Sequence, residues 1–159
     1  MRALLVIDRA EHGGRLAAAM REVDLVPTLA ADLPTALAMY TAERHPLIFI
    51  TWGFGKFDGL LACRELRKLD PQHRSVVGII TNRSAIADLE SVLAAGADDY
   101  IIECDDRAAF RLRLKIAVLR TKNRVNSCRI EQQLRESVER FELAVRGADE
   151  GLWDAQPMD

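Results

Sequence analysis

Residues able to do chemistry stand at the ends of short apolar runs in this 159-residue chain. Ligands and catalytic groups of an open α/β sheet gather outside the carboxyl ends of its strands, so side chains at those ends are predicted to share one site. The candidates combine a carboxylate beside a guanidinium, two hydroxyls and a second carboxylate, a set suited to hydrogen bonding and ion pairing. They are Asp8, Arg9, Thr51, Thr81 and Glu103.

The elements that must position these residues are five apolar runs of strand length. Most of the runs are hydrophobic throughout rather than alternating, as expected for strands covered on both faces. They occupy residues 3–7, 25–29, 47–51, 75–80 and 100–102. The segments between them carry apolar residues at helical spacing, beginning with the stripe Leu16, Ala19, Met20 and Val23. Strands that alternate with helices predict an α/β fold of three layers, with a parallel sheet between two layers of helices.

Composition favours a globular protein of the cytoplasm. Hydrophobic residues make up 49% and charged residues 29% of the chain, and the formal charge of -2 gives no electrostatic reason to expect nucleic-acid binding. Cys63, Cys104 and Cys128 follow no metal-ligand spacing, and an odd count without pairing motifs favours a reducing compartment. The apolar run 3–7 is too short for a signal peptide or a membrane span. We therefore expect a cytoplasmic protein that binds neither membrane nor nucleic acid and holds no metal.

The last third of the chain predicts one long helix. Between 105 and 146 there is no proline or glycine, and apolar residues recur in steps of three and four. Such a helix is too long to pack wholly on its own domain, so its apolar face is predicted to form the seam of a homodimer. The seam residues are Leu119, Ile130, Leu134, Val138 and Phe141. A polar break at Lys122, Asn123, Arg124 and Asn126 either marks where the helix leaves its domain or fixes the register of a parallel dimer.

The sequence resembles the receiver domain of two-component response regulators over residues 2–120. The resemblance rests on the run GADDYII at 96–102, the Asp58-Gly59 pair that opens the third helix, Thr81, and the spacing of the five strands. It implies a flavodoxin-like sheet of order 2-1-3-4-5.

The same resemblance implies a chemistry that this chain departs from. Receiver domains transfer a phosphoryl group to an aspartate that ends the third strand, and they use acidic Mg²⁺ ligands after the first strand and a lysine after the fifth. Asp8, Thr81 and the switch position Tyr100 match the family, whereas Arg9, Thr51 and Glu103 replace an acid, the phosphoacceptor and the lysine. A hydroxyl needs an activating base to act as nucleophile, and Glu103 adds negative charge where positive charge is required. We therefore expect a degenerate pseudo-receiver that is not an enzyme and needs no cofactor.

Several alternatives concern single residues. Arg9 either lies between Asp8 and Glu103 in an internal ion pair that replaces Mg²⁺, or it points into solvent. The three histidines, His12, His45 and His73, are expected to be surface loop residues. A phosphate-binding turn at Gly13-Gly14 lacks the rest of a nucleotide motif.

Two other functions remain open. The altered pocket, or the aromatic loop of Trp52 and Phe54, could bind an anion or a small metabolite. Asp58 could serve as a substitute phosphoacceptor, although the family keeps a structural turn there.

The C-terminal residues resemble the start of a PAS sensor domain. The resemblance lies in RFELAV at 140–145 and GLWD at 151–154. It implies a receiver-like domain at 1–120, a signalling helix at 121–140 and a truncated PAS start at 141–159, followed in such proteins by output domains that often turn over cyclic-di-GMP. The sequence thus predicts a regulatory module that acts on downstream domains of the same protein.

Overall fold

The sheet has the predicted topology. The computed structural model describes residues 1–54, 57–82, 89–103 and 106–153. Five parallel strands stand in the order β2-β1-β3-β4-β5, which confirms the flavodoxin-like fold. The strands are β1 Arg2–Val6, β2 Val26–Ala30, β3 Leu47–Trp52, β4 Val76–Thr81 and β5 Asp99–Ile102.

Helices connect the strands, and local signals in the sequence set several of their ends. The helices are α1 Ala10–Arg21, α2 Leu33–Ala42, α3 Gly59–Leu69, α4 Leu89–Ala94 and α5 Arg107–Trp153. Asp32 caps α2 by accepting a hydrogen bond from the Thr35 amide at 2.7 Å, and Asp58 caps α3 by accepting one from the Leu61 amide at 2.9 Å. Gly96, with φ of +92°, closes the turn after α4 in the left-handed conformation that glycine tolerates.

The core consists of two apolar layers, one on each face of the sheet. Side chains alternate along each buried strand, so Leu5 and Phe49 face the α1 and α5 layer, whereas Leu4 and Ile48 face the layer of α2, α3 and α4. This double cover explains why the strand sequences are hydrophobic throughout.

The chain divides into two compact units, Met1–Val125 and Asn126–Asp159. Within the described residues, no helix is both long and apolar enough to cross a membrane.

Candidate functional site

The carboxyl ends of neighbouring strands bring the candidate residues together. Asp8 follows β1, Thr51 lies near the end of β3, Thr81 ends β4, and Glu103 follows β5. Two hydrogen bonds join these ends, from the Asp8 amide to Thr51 Oγ1 at 3.1 Å and from the Glu103 amide to the Thr81 carbonyl at 2.8 Å. These bonds place Asp8 beside Thr51 and Glu103 beside Thr81.

The hydroxyl of Thr51 is engaged with the backbone of the first strand. Thr51 is fully buried, accepts the hydrogen bond from the Asp8 amide, and donates one to the Val6 carbonyl at 3.2 Å. It thereby ties the end of β1 to β3. Thr81 is also fully buried, with its hydroxyl 3.5 Å from the Asn82 carbonyl, at the limit of a hydrogen bond.

Glu103 pairs with His12, a residue that sequence reasoning wrongly placed in a surface loop. His12 lies in α1, is only 5% exposed, and its Nε2 lies 2.6 Å from Glu103 Oε2. The Phe54 ring packs against the imidazole, with ring centroids 4.2 Å apart. The signal was present, because the stripe Leu16 and Met20 continues one turn back to His12.

Of the two alternatives for Arg9, the ion pair with Asp8 and Glu103 does not form. Arg9 is exposed and precedes α1 with extended backbone, and it makes no ion pair with any described residue. His12, in the first turn of α1, pairs with Glu103 instead. Asp8 Oδ2 is buried and has no hydrogen-bond partner within the part of the chain that the structure describes.

His45 is a second histidine that was wrongly assigned to the surface. It precedes β3, is 2% exposed, and neither ring nitrogen has a hydrogen-bond partner among the described residues. Burial, together with the charge of Arg2, lowers the pKa of His45 below its usual value. His73 is exposed, as expected.

Two other site residues have local surroundings that bear on their suggested roles. Tyr100 lies in β5, half-buried against the layer of α2, α3 and α4, and its role as a switch remains a prediction. Asp58 is exposed and its carboxylate caps α3, as expected of the structural turn, and its role as a substitute phosphoacceptor stays a hypothesis.

The sequence did not reveal what the two aspartates of the GADDYII run contact. Asp98 Oδ2 accepts hydrogen bonds from the Val77 amide at 2.8 Å and from Arg67 at 2.5 Å, and Asp98 Oδ1 accepts one from Arg124 at 2.9 Å. Asp99 pairs with Arg120 at 2.6 Å. Two arginines four residues apart in α5 thus bind successive aspartates at the start of β5.

This network sets the pKa of Asp98 and explains part of the polar break. Burial alone would raise the pKa of Asp98, but the Val77 amide and the two arginines outweigh it and hold that pKa below its usual value. The arginine at position 124 in the polar break thus has a structural role, because it binds Asp98.

The predicted seam residues are exposed in the single chain. Leu119 in the first unit is 59% exposed, and in the second unit the exposed fractions of the other seam residues run from 47% to 69%. Those residues are Ile130, Leu134, Val138 and Phe141.

Comparisons with known proteins agree with this architecture. No family model matches the chain. It is 30% identical over 94 residues to a protein of Cyanophora paradoxa described as "Probable transcriptional regulator ycf27", and the matched part is 59% of this chain but only 38% of that relative.

Solved structures establish the fold. A CheY-like receiver domain protein of Methanospirillum hungatei matches with a TM-score of 0.64 at 19% identity over 77% of this chain and 96% of its own. NtrX of Brucella abortus, solved with ADP, matches with a TM-score of 0.69 at 23% identity over 87% of this chain and 33% of its own. The fold is therefore that of response regulator receiver domains, and the chain spans about a third of NtrX.

Proposed function

We propose that this chain is a signal-transduction module of the response-regulator type that acts through protein contacts and not by accepting a phosphoryl group. The observation that carries the proposal is the state of Thr51, whose position corresponds to the phosphoacceptor and whose buried hydroxyl is bonded to the Asp8 amide and the Val6 carbonyl. A hydroxyl held in this way has no base to activate it.

The charges around Thr51 support the same conclusion. Phosphoryl transfer depends on metal and cationic groups that neutralise the charge of the transferred group, and Mg²⁺ prefers several oxygen ligands. Here the second acidic position is the exposed Arg9, and the position of the lysine is Glu103, bound to His12 at 2.6 Å. The module is thus not an enzyme in this proposal and needs no cofactor.

Incubation with acetyl phosphate and Mg²⁺, followed by intact-mass measurement, tests this proposal. We expect no covalent phosphoryl adduct on the native chain. The matched control combines Thr51→Asp, Arg9→Asp and Glu103→Lys, which restores the family's residues and should permit labelling. An adduct on the native chain that disappears in Asp8→Asn or Asp58→Asn would overturn the proposal.

We further propose that the signal leaves through α5, as a homodimer seam in the cytoplasm. The apolar residues at 119, 130, 134, 138 and 141 recur at helical spacing and are exposed in one chain, so a second copy of the same helix can cover them. PAS and output domains of the same protein, with cyclic-di-GMP turnover as the output, are the downstream partners suggested by the C-terminal resemblance.

A further inference from the structure

Two adjoining cavities lie along α1, beside the polar cluster at the strand ends. One, of about 550 Å³, is lined by Arg9, Glu11, His12, Arg15 and Phe54. The other, of about 590 Å³, shares Arg15 and Phe54 and extends to α5. Together they form what we call the α1 groove, and each has a volume within the range of small-molecule sites.

The first of these cavities is lined by two arginines whose guanidinium groups have no partner among the described residues. Arg9 and Arg15 are both exposed, and neither guanidinium group forms a hydrogen bond or ion pair in the part of the chain that the structure describes. Glu11 contributes one negative charge, so the two arginines and this glutamate together carry a net charge of +1. Glu103, which lines the second cavity, is already bound to His12. Free guanidinium groups favour phosphate and carboxylate groups, which they bind through paired hydrogen bonds.

The groove also offers an aromatic surface. Phe54 lines both cavities and is half-buried, and its ring lies over the imidazole of His12. Aromatic rings stack on such surfaces in offset or tilted arrangements. His12, which lines the first cavity, is 5% exposed, and its buried Nδ1 has no hydrogen-bond partner among the described residues.

We propose that the α1 groove binds a small organic anion in which a phosphate or carboxylate is attached to a planar ring. Arg9 and Arg15 hold the anionic group, and the ring packs against Phe54. His12, which lines this groove, also pairs with Glu103 after β5, so the groove adjoins the altered pocket. The α1 groove would be the binding site of a ligand sensor, and binding there requires neither the dimer nor the absence of phosphorylation.

Titration of the full chain with phenyl phosphate, without metal and followed by amide chemical shifts, tests the proposal. Inorganic phosphate supplies the charge alone and phenol supplies the ring alone. We expect saturable shifts centred on residues 9–15 with phenyl phosphate, and binding weakened by about fivefold in Arg9→Gln and in Arg15→Gln. Arg111→Gln removes an exposed arginine of α5 that lines neither cavity, and it should leave the affinity unchanged.

Three results would each overturn the proposal. The first is the absence of saturable binding. The second is equal weakening in Arg111→Gln, which would indicate unspecific attraction to positive charge. The third is equal affinity for phenyl phosphate and inorganic phosphate, which would leave the Phe54 surface without a role.

Discussion

At the scale of single residues, the polar cluster is held by hydrogen bonds to the backbone and by one partly buried side-chain pair. Thr51 uses its hydroxyl to join β1 and β3, and His12 joins α1 to the residue that follows β5. Both contacts connect elements that are far apart in the sequence. These side chains therefore stabilise the fold by linking β1, β3, α1 and the residue after β5.

Replacing His12 should cost stability, whereas replacing Arg9 should not. His12→Ala removes a buried ring and leaves Glu103 without its partner, which we expect to lower the free energy of unfolding by about 2 kcal/mol. Arg9→Ala at an exposed position should change it by less than about 0.5 kcal/mol. Urea denaturation measures both, and a large loss in Arg9→Ala would restore the ion-pair hypothesis.

The neutral, buried His45 predicts a loss of stability in mild acid. Its pKa is lowered in the folded chain, so the unfolded chain takes up a proton first as the pH falls below the ordinary value of 6.5. The contribution is fully present above that pH and is lost progressively below it, towards the lowered folded pKa. Unfolding free energies at about pH 7.5 and about pH 5.5 should therefore differ less in His45→Leu than in the native chain.

The control for this experiment is His73→Asn. His73 is exposed and has a positive φ of 49°, which asparagine tolerates. This variant should keep the native pH dependence. An unchanged pH dependence in His45→Leu would assign the acid sensitivity to other groups.

The positions of the site residues could be predicted from the sequence, but their partners could not. Thr51 and Glu103 stand where apolar runs end, and run ends become strand ends in a buried parallel sheet. Which side chain reaches Glu103 depends on the rotation of α1 about its axis, and that rotation is fixed by the packing of Leu16 and Met20. The stripe of Leu16 and Met20 predicts this rotation of α1 only if His12 is counted as a buried member of the stripe.

At the scale of elements, the aspartates before and at the start of β5 hold the last helix of the fold. Asp98 and Asp99 bind Arg124 and Arg120 of α5, and Asp98 also binds Arg67 of α3. Caps such as Asp32 and Asp58 could be predicted because they act on neighbouring residues. This network could not be predicted, because its members come from three separate elements.

The two aspartates should differ in their effect on stability. Asp98→Ala leaves the 8% exposed Arg67 without one of its carboxylates and should lower the free energy of unfolding by about 3 kcal/mol. Asp99→Ala breaks a pair with the half-exposed Arg120 and should cost less than about 1 kcal/mol. Equal losses in chemical denaturation would mean that burial does not decide the strength of these contacts.

The adjacent glycines of α1 form a second matched pair. A Cβ at Gly14 meets no atom within 4 Å, so Gly14→Ala should stabilise the chain by about 0.5 to 1 kcal/mol through its higher helix propensity. A Cβ at Gly13 would lie 2.4 Å from Ile7 Cδ1, which should cancel or reverse that gain. Thermal unfolding distinguishes the two, and it also tests the helical state of a pair whose sequence could suggest a phosphate-binding turn.

At the scale of the whole molecule, the central question is what covers the apolar face of α5. The first unit extends to Val125 and includes Arg124, so a chain cut at Arg120 would lose the contact with Asp98 as well as the four seam residues of the second unit. Substitutions within the second unit test the seam without disturbing that contact.

The measurement that tests this account most directly is the molar mass in solution by light scattering. The native chain should have twice the mass of a single 17.8 kDa chain, and the double variant Ile130→Glu, Leu134→Glu should have the mass of one. The control variant Gln132→Glu, Leu143→Glu adds the same charges on the opposite side of the helix and should stay dimeric. Leu143 is 67% exposed, as the seam residues are, so the two variants differ in the helix face and not in exposure. A native chain with the mass of one copy, or a double variant that remains a dimer, would contradict the proposal that α5 is the dimer seam.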